Sequence, residues 1–199
     1  MPREHKTTVY TYDELSDEAK EKAREWWLSV SEGGFDQLDS EMLTEMFKDL
    51  LKEWGFKKGV DVWWSLGSSQ GDGVAFQGDL DIPKYVDARA KDFRRVIGKV
   101  EAWVKHEGRY YHSNSMEAGV AATDSERDLA PKDWFPGKPT AELLDEFATF
   151  LGEDVKKMSK ELEKIGYQEI EYRQSEEAIA EMLIANEYEF TADGRRFRG

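Results

Sequence analysis

The sequence predicts an α+β protein, with a four-stranded antiparallel sheet of two hairpins and helices packed on one face. Three observations carry that expectation. Met42, Leu43, Met46, Phe47, Leu50, Leu51 and Trp54 recur at three- and four-residue steps, the period of a helix burying one broad face. Beyond Gly59 the period falls to two: Val62, Trp64 and Leu66, then Val74, Phe76, Leu80 and Ile82, alternate with polar or small residues. A second alternating run, Val96, Val100, Ala102 and Val104, leads to a Glu107-Gly108 turn and an expected return strand over 109–112.

Element by element, Thr7 to Tyr12 is β-prone and reads as a short edge strand. Ser16 is an N-cap candidate, with Asp17 and Glu18 in the first turn where the helix dipole favours anions. That helix is expected to reach about Leu28 and to stop at Gly33-Gly34. Gly55 followed by Phe56 ends the next one, glycine taking the left-handed position. Pro83 opens a helix expected to run through Arg95. Residues 122–139 hold three of the five prolines and read as a crossing loop that buries Trp134 and Phe135. Thr140 caps a long helix with an apolar face from Leu143 to Leu162, stopped at Gly166-Tyr167. Ser175 caps a last helix, expected from Glu176 to about Tyr188. The whole chain, 1–199, reads as a single domain ending in a short, basic, mobile tail over 194–199.

Composition narrows the function. The 199 residues carry a net charge of −14, and 140–193 alone hold 15 acidic against 5 basic residues. Such a surface repels nucleic-acid phosphates, so direct nucleic-acid binding is not expected. It attracts basic proteins, and unpaired carboxylates such as Glu176, Glu177 and Glu181 can imitate phosphate spacing. The simpler reading, a solvated helix face, is the favoured one. There is no cysteine, hence no disulfide and no thiolate metal site. With neither a signal-like start nor a long apolar run, the expected location is the cytoplasm.

The most unusual stretch is the hairpin loop Gly67-Ser68-Ser69-Gln70-Gly71-Asp72-Gly73. It lacks the lysine of a phosphate-binding P-loop and does not lead into a helix. The G-x-S-x-G spacing of a hydrolase elbow is also missing. Its glycines either supply turn geometry or let a ligand or partner approach the backbone. On this reading Ser68, Ser69, Gln70, Asp72, His112 and Trp63 are candidate partner- or ligand-binding residues, with Glu176, Glu177 and Glu181 as an acidic contact surface. Asp79, Asp81 and the histidines show no metal-ligand spacing, and no serine can be tied to a histidine. No catalytic residue, metal or cofactor is therefore assigned.

Several motifs together resemble a family of small proteins from tailed phages and prophages. The run Tyr-Thr-Tyr-Asp-Glu-Leu-Ser over 10–16 resembles their opening. Residues 64–78 match a W/F-S-G-x-x-S-Q-G-D-G-A/V-x-F-x-G hairpin, residues 110–116 a Y-x-H-x-x-S-M segment, and residues 175–194 an A-N-E-Y-x-F ending. Leu66-Gly67-Ser68 departs from the Gly-Phe-Ser of many relatives. The resemblance implies a phage or prophage origin. By analogy with small acidic phage proteins that bind and block host enzymes, the expected function is a non-enzymatic inhibitor of a host defence or nucleic-acid-handling complex, of anti-CRISPR or anti-restriction type, in the host cytoplasm. Its expected partner is a host protein or complex with a basic surface. The alternative expectation is a small-ligand or nucleotide-binding protein, even an enzyme, with its site at the 68–73 loop and His112.

Overall fold

The computed structural model describes residues 6–31, 37–67, 69–123 and 141–198. In chain order the elements are α1 (Asp17–Val30), α2 (Gln37–Glu53), β1 (Asp61–Ser65), β2 (Gly73–Asp79), α3 (Ile82–Arg89), β3 (Val100–His106), β4 (Met116–Ala122), α4 (Ala141–Arg173) and α5 (Glu176–Ala185). The sheet order is β1-β2-β3-β4 and every neighbouring pair is antiparallel. This is the α+β architecture that the two periodicities predict. The chain divides into two compact units, one of Met1–Glu41 with Tyr167–Gly199 and one of Met42–Gly166, so the divisions fall inside α2 and α4.

The first unit packs α1 and α5 through Ala19, Ala23, Ile179 and Leu183, with Tyr12, Leu15 and Phe190 closing the cluster. Both helix starts read from sequence are present. The Ser16 hydroxyl accepts from Ala19 N and that of Ser175 from Ala178 N, each satisfying one orphan donor of a first turn. The expected edge strand over 7–12 is a single bridge, in which Tyr10 and Phe190 exchange both backbone hydrogen bonds. α5 ends at Ala185 rather than near Tyr188, because Glu187 takes a positive φ of 52° and turns the chain toward that bridge.

In the second unit, Val62, Trp64, Val74 and Phe76 share one sheet face by register. Helices cover that face. The Trp64 indole donates to Thr44 Oγ1 at 2.9 Å and meets the Phe47 ring edge-on, while buried Ser159 of α4 donates to Val74 O at 2.6 Å. The opposite face carries Asp61, Trp63, Gln77, Trp103 and Lys105.

Three further boundaries differ from expectation. α3 stops at Arg89, where Ala90 leaves helical geometry (φ −135°, ψ 44°), and 91–96 continue as a 3-10 helix. α4 runs through Gly166 because that glycine does not turn the chain; the side chains of Leu66 and Phe47 fill the space its Cβ would take. The return strand of the second hairpin is β4 at Met116–Ala122, not 109–112. Aromatic β-propensity at Tyr110 and Tyr111 favoured the earlier segment. Pairing selects the later one, where the Trp103 ring occupies the room left by Gly119, its cross-strand partner. The expected stop at Gly33-Gly34, the cap at Thr140 and the burial of Trp134 and Phe135 lie outside the described residues.

One buried ionic group ties α3 to α4. Arg89 donates to Asp154 through Nε and Nη2 (2.8 and 3.0 Å) and to Glu161 (3.0 and 3.1 Å), with its guanidinium stacked over Trp54. The buried Tyr85 hydroxyl donates to the same Asp154 oxygen at 2.9 Å. Burial, then the Asp154 charge, push the Tyr85 pKa far up, so the phenol stays protonated. Removing one partner of such a pair strands a buried charge. Asp154→Ala is expected to cost about 3–5 kcal/mol in chemical denaturation. Glu161→Ala, whose carboxylate is 47% exposed, is expected to cost under about 1 kcal/mol.

Candidate functional site

The β1–β2 loop is organised by one carboxylate. Asp72 Oδ1 accepts from the Ser65 hydroxyl at 2.7 Å, and Oδ2 accepts from the backbone N–H of Gly67 at 2.8 Å and of Ser69 at 2.6 Å. The Asp72 N–H in turn donates to Ser69 O, closing a turn across Gln70 and Gly71. Hydrogen bonds from the Ser65 hydroxyl and the Ser69 amide hold the Asp72 carboxyl below its ordinary value of 3.8. This short carboxylate side chain does the bracing that a longer loop needs.

The loop between β3 and β4 braces it from beside. Glu107 N donates to Ser115 O, His106 Nε2 donates to Tyr110 O at 3.0 Å, and His112 Nδ1 accepts from Asn114 N at 3.1 Å. Neutral His112 therefore carries its proton on Nε2. The Tyr110 and His112 rings lie parallel, 6.3 Å apart. Trp63, opposite Ala75 in the ladder, reaches the His106 ring at 5.7 Å, and His106 meets Tyr111 at 5.6 Å.

The two loops fit because two positions have no Cβ. Gly71 (φ +99°) lies where a Cβ would stand 2.5 Å from the Tyr110 ring. At Gly73 (φ +149°) a Cβ would stand 2.5 Å from Tyr111 O and 3.1 Å from His112 Cα. Both combine a backbone conformation that L residues avoid with a close approach. The glycines thus serve the turn and the docking of the neighbouring loop together.

Of the residues expected from sequence, the structure brings Ser69, Gln70, Asp72, Trp63 and His112 into this one region of the second unit. Asp72 and His112 make no hydrogen bond to each other, since the carboxylate is occupied by its own loop. Ser68 lies outside the described residues. Glu176, Glu177 and Glu181 belong to α5 in the first unit. Glu176 pairs with Arg24 at 3.2 Å, and Glu181 borders a cleft with Trp27 and Arg173. Asp79 ends β2 while Asp81 caps α3 through Lys84 N, so the two do not share a strand face. Sequence reasoning missed Tyr110, which is 53% exposed beside exposed Gln70 and Ser69. Its signal was the pair Gly71 and Gly73, unexplained by turn geometry alone.

The fold is that of an α+β protein with a hydrogen-bonded polar and aromatic double loop beside its sheet. The family model described as Domain of unknown function (DUF8835) matches residues 26–183, and the chain belongs to that family. No curated protein matches the chain, and no solved structure does.

Gly73→Ala is expected to destabilise the protein by about 1–3 kcal/mol, the scale of one strained backbone position, seen as a lower Tm. Asp72 has a folded-state pKa below its ordinary 3.8. Its contribution is therefore complete above that value and is lost as pH falls through the folded-state pKa. The Tm gap between wild type and Asp72→Asn is expected to be constant at neutral pH and to close in the acid limb.

Proposed function

We propose that this protein is a non-enzymatic binding protein, carried by a phage or prophage, that inhibits a host defence or nucleic-acid-handling complex by occupying a basic protein surface. The observation that supports this most is the saturation of the Asp72 carboxylate within its own loop, which leaves Gln70 and Tyr110 exposed on a braced frame. A surface already ordered before contact loses little conformational entropy on binding. Tyrosine beside amide and hydroxyl groups is the composition of a contact anchor. The net charge of −14 adds steering toward a basic partner, to which exposed Glu177 and Glu181 contribute.

A second reading is favoured by the close approach of Gly73 to His112, which sets two polar loops side by side. It is a small-ligand site at the 69–73 loop, nucleotides being the class to try, with His112 Nε2–H as a donor.

Immobilised protein would be challenged with host lysate at low and high salt, wild type beside Gln70→Ala/Tyr110→Ala. A basic nuclease-associated complex retained by wild type at low salt, and at least tenfold depleted on the double variant, is the expected result. Equal retention on both proteins, given unchanged melting, would remove the loops from the interface. Saturable nucleotide binding that His112→Ala abolishes, with no retained complex, would favour the second reading.

A further inference from the structure

We infer that the cleft between α1 and the arginine segment 194–198 is a receptor for a phosphate monoester. The cleft, about 370 Å³, is lined by Lys22, Trp26, Gly194, Arg195, Arg196 and Arg198, all within the first unit. Four cations converge there on a chain of net charge −14.

The segment is built rather than loose. Thr191 N donates to Arg195 O and Gly194 N to Thr191 O, closing a turn, while Arg196 forms a β-bridge with Phe190. Gly194 packs directly on the backbone of Ala19, where a side chain would collide. The Arg196 guanidinium is thereby held 5.0 Å from the Trp26 ring centre and 4.6 Å from that of Tyr188. Stacking uses the face of a guanidinium and leaves its N–H donors in the plane, free for an oxyanion. Among the described residues, neither Arg196 nor Arg198 has a carboxylate partner. The other two cations of the cleft each hold a carboxylate: Lys22 pairs with Glu18 at 3.3 Å, and Arg195 with Asp193 at 3.2 Å.

A positioned arginine with unused donors and a second arginine beside it, neither holding a carboxylate among the described residues, suit a group with two charges and three acceptor oxygens. That is a phosphate monoester. The volume accommodates a nucleotide-sized molecule. A long polyanion would meet repulsion from the remaining surface, so a terminal phosphate is favoured over an internal phosphodiester. The monoester comes either from a small nucleotide or from the phosphorylated end of a nucleic acid.

Titration calorimetry at low salt would use AMP, a 5′-phosphorylated single-stranded oligonucleotide and its 5′-hydroxyl counterpart. Saturable binding of AMP or the phosphorylated oligonucleotide is expected, the tighter of the two naming the source. Arg198→Ala and Arg196→Ala are each expected to weaken it at least tenfold. Arg196→Lys, which keeps charge and loses the planar fork, is expected to weaken it severalfold. Arg95→Ala, an exposed arginine of the second unit, should change nothing. Arg198→Ala guards against loss of fold, because Arg198 has no hydrogen bond or ion pair among the described residues. No saturable binding, an equal loss in Arg95→Ala, or equal affinity for the 5′-hydroxyl oligonucleotide would overturn the assignment. The readout needs no protein partner, so it succeeds or fails independently of the inhibitor function.

Discussion

The second unit depends on how Asp154 is satisfied. A carboxylate this buried, 6% exposed on the inner face of α4, is tolerated only when its lone pairs are filled and its charge is opposed. Arg89 supplies two parallel hydrogen bonds and Tyr85 a third, so α3 has one docking position against α4. Arg89 is held in turn between Glu161 and the Trp54 ring, which brings the end of α2 into the same knot. Burial alone would lower the Arg89 pKa; its hydrogen bonds to Asp154 and Glu161 outweigh that and raise it. One turn or so along α4, Ser159 bonds the carbonyl of Val74, and this places the inner face of the first hairpin.

With one face of that hairpin pinned to helices, its far end becomes a rigid platform. Asp72 and Asp154 show two solutions to the same problem. Asp154 is buried and needs a full countercharge. Asp72 stands in an open loop and is satisfied by neutral donors, one hydroxyl and two amides, which suffices where water also reaches. The result is a loop ordered by its own carboxylate and seated on Tyr110, Tyr111 and His112 through two glycines.

Charge is distributed with similar economy. Arg24 takes Glu176, Arg173 takes Glu169 and Asp39, and Lys48 and Lys52 take acidic neighbours on α2. Some carboxylates are therefore paired locally, and exposed ones on α5 add to the long-range field. Against that field Arg196 and Arg198, without a carboxylate partner among the described residues, stand out beside Trp26. No helix among the described residues is long and apolar enough to cross a membrane.

The sequence by itself determined what depends on local forces. Ser16 and Ser175 cap helices because a side chain bonds an amide three residues on. Gly55 stops α2 with a φ of +103°, and strict alternation marks β1 and β2. The unusual character of the β1–β2 loop was legible too, since Ser69, Gln70 and Asp72 among glycines announce a non-standard turn. Tertiary structure decided whatever rests on partners distant in the chain. Tyr110-Tyr111 has the better strand propensity, yet β4 forms at Met116–Ala122 because Gly119 admits the Trp103 ring. Gly166 resembles a helix stop and is instead a packing notch for Leu66 and Phe47. The Arg89–Asp154 knot joins residues 65 positions apart, and Arg196 finds Trp26 and Tyr188 only once the chain has folded back. Propensity acts over one or two turns of chain, whereas pairing, packing and countercharge act through space, and sequence spacing alone does not encode that distance.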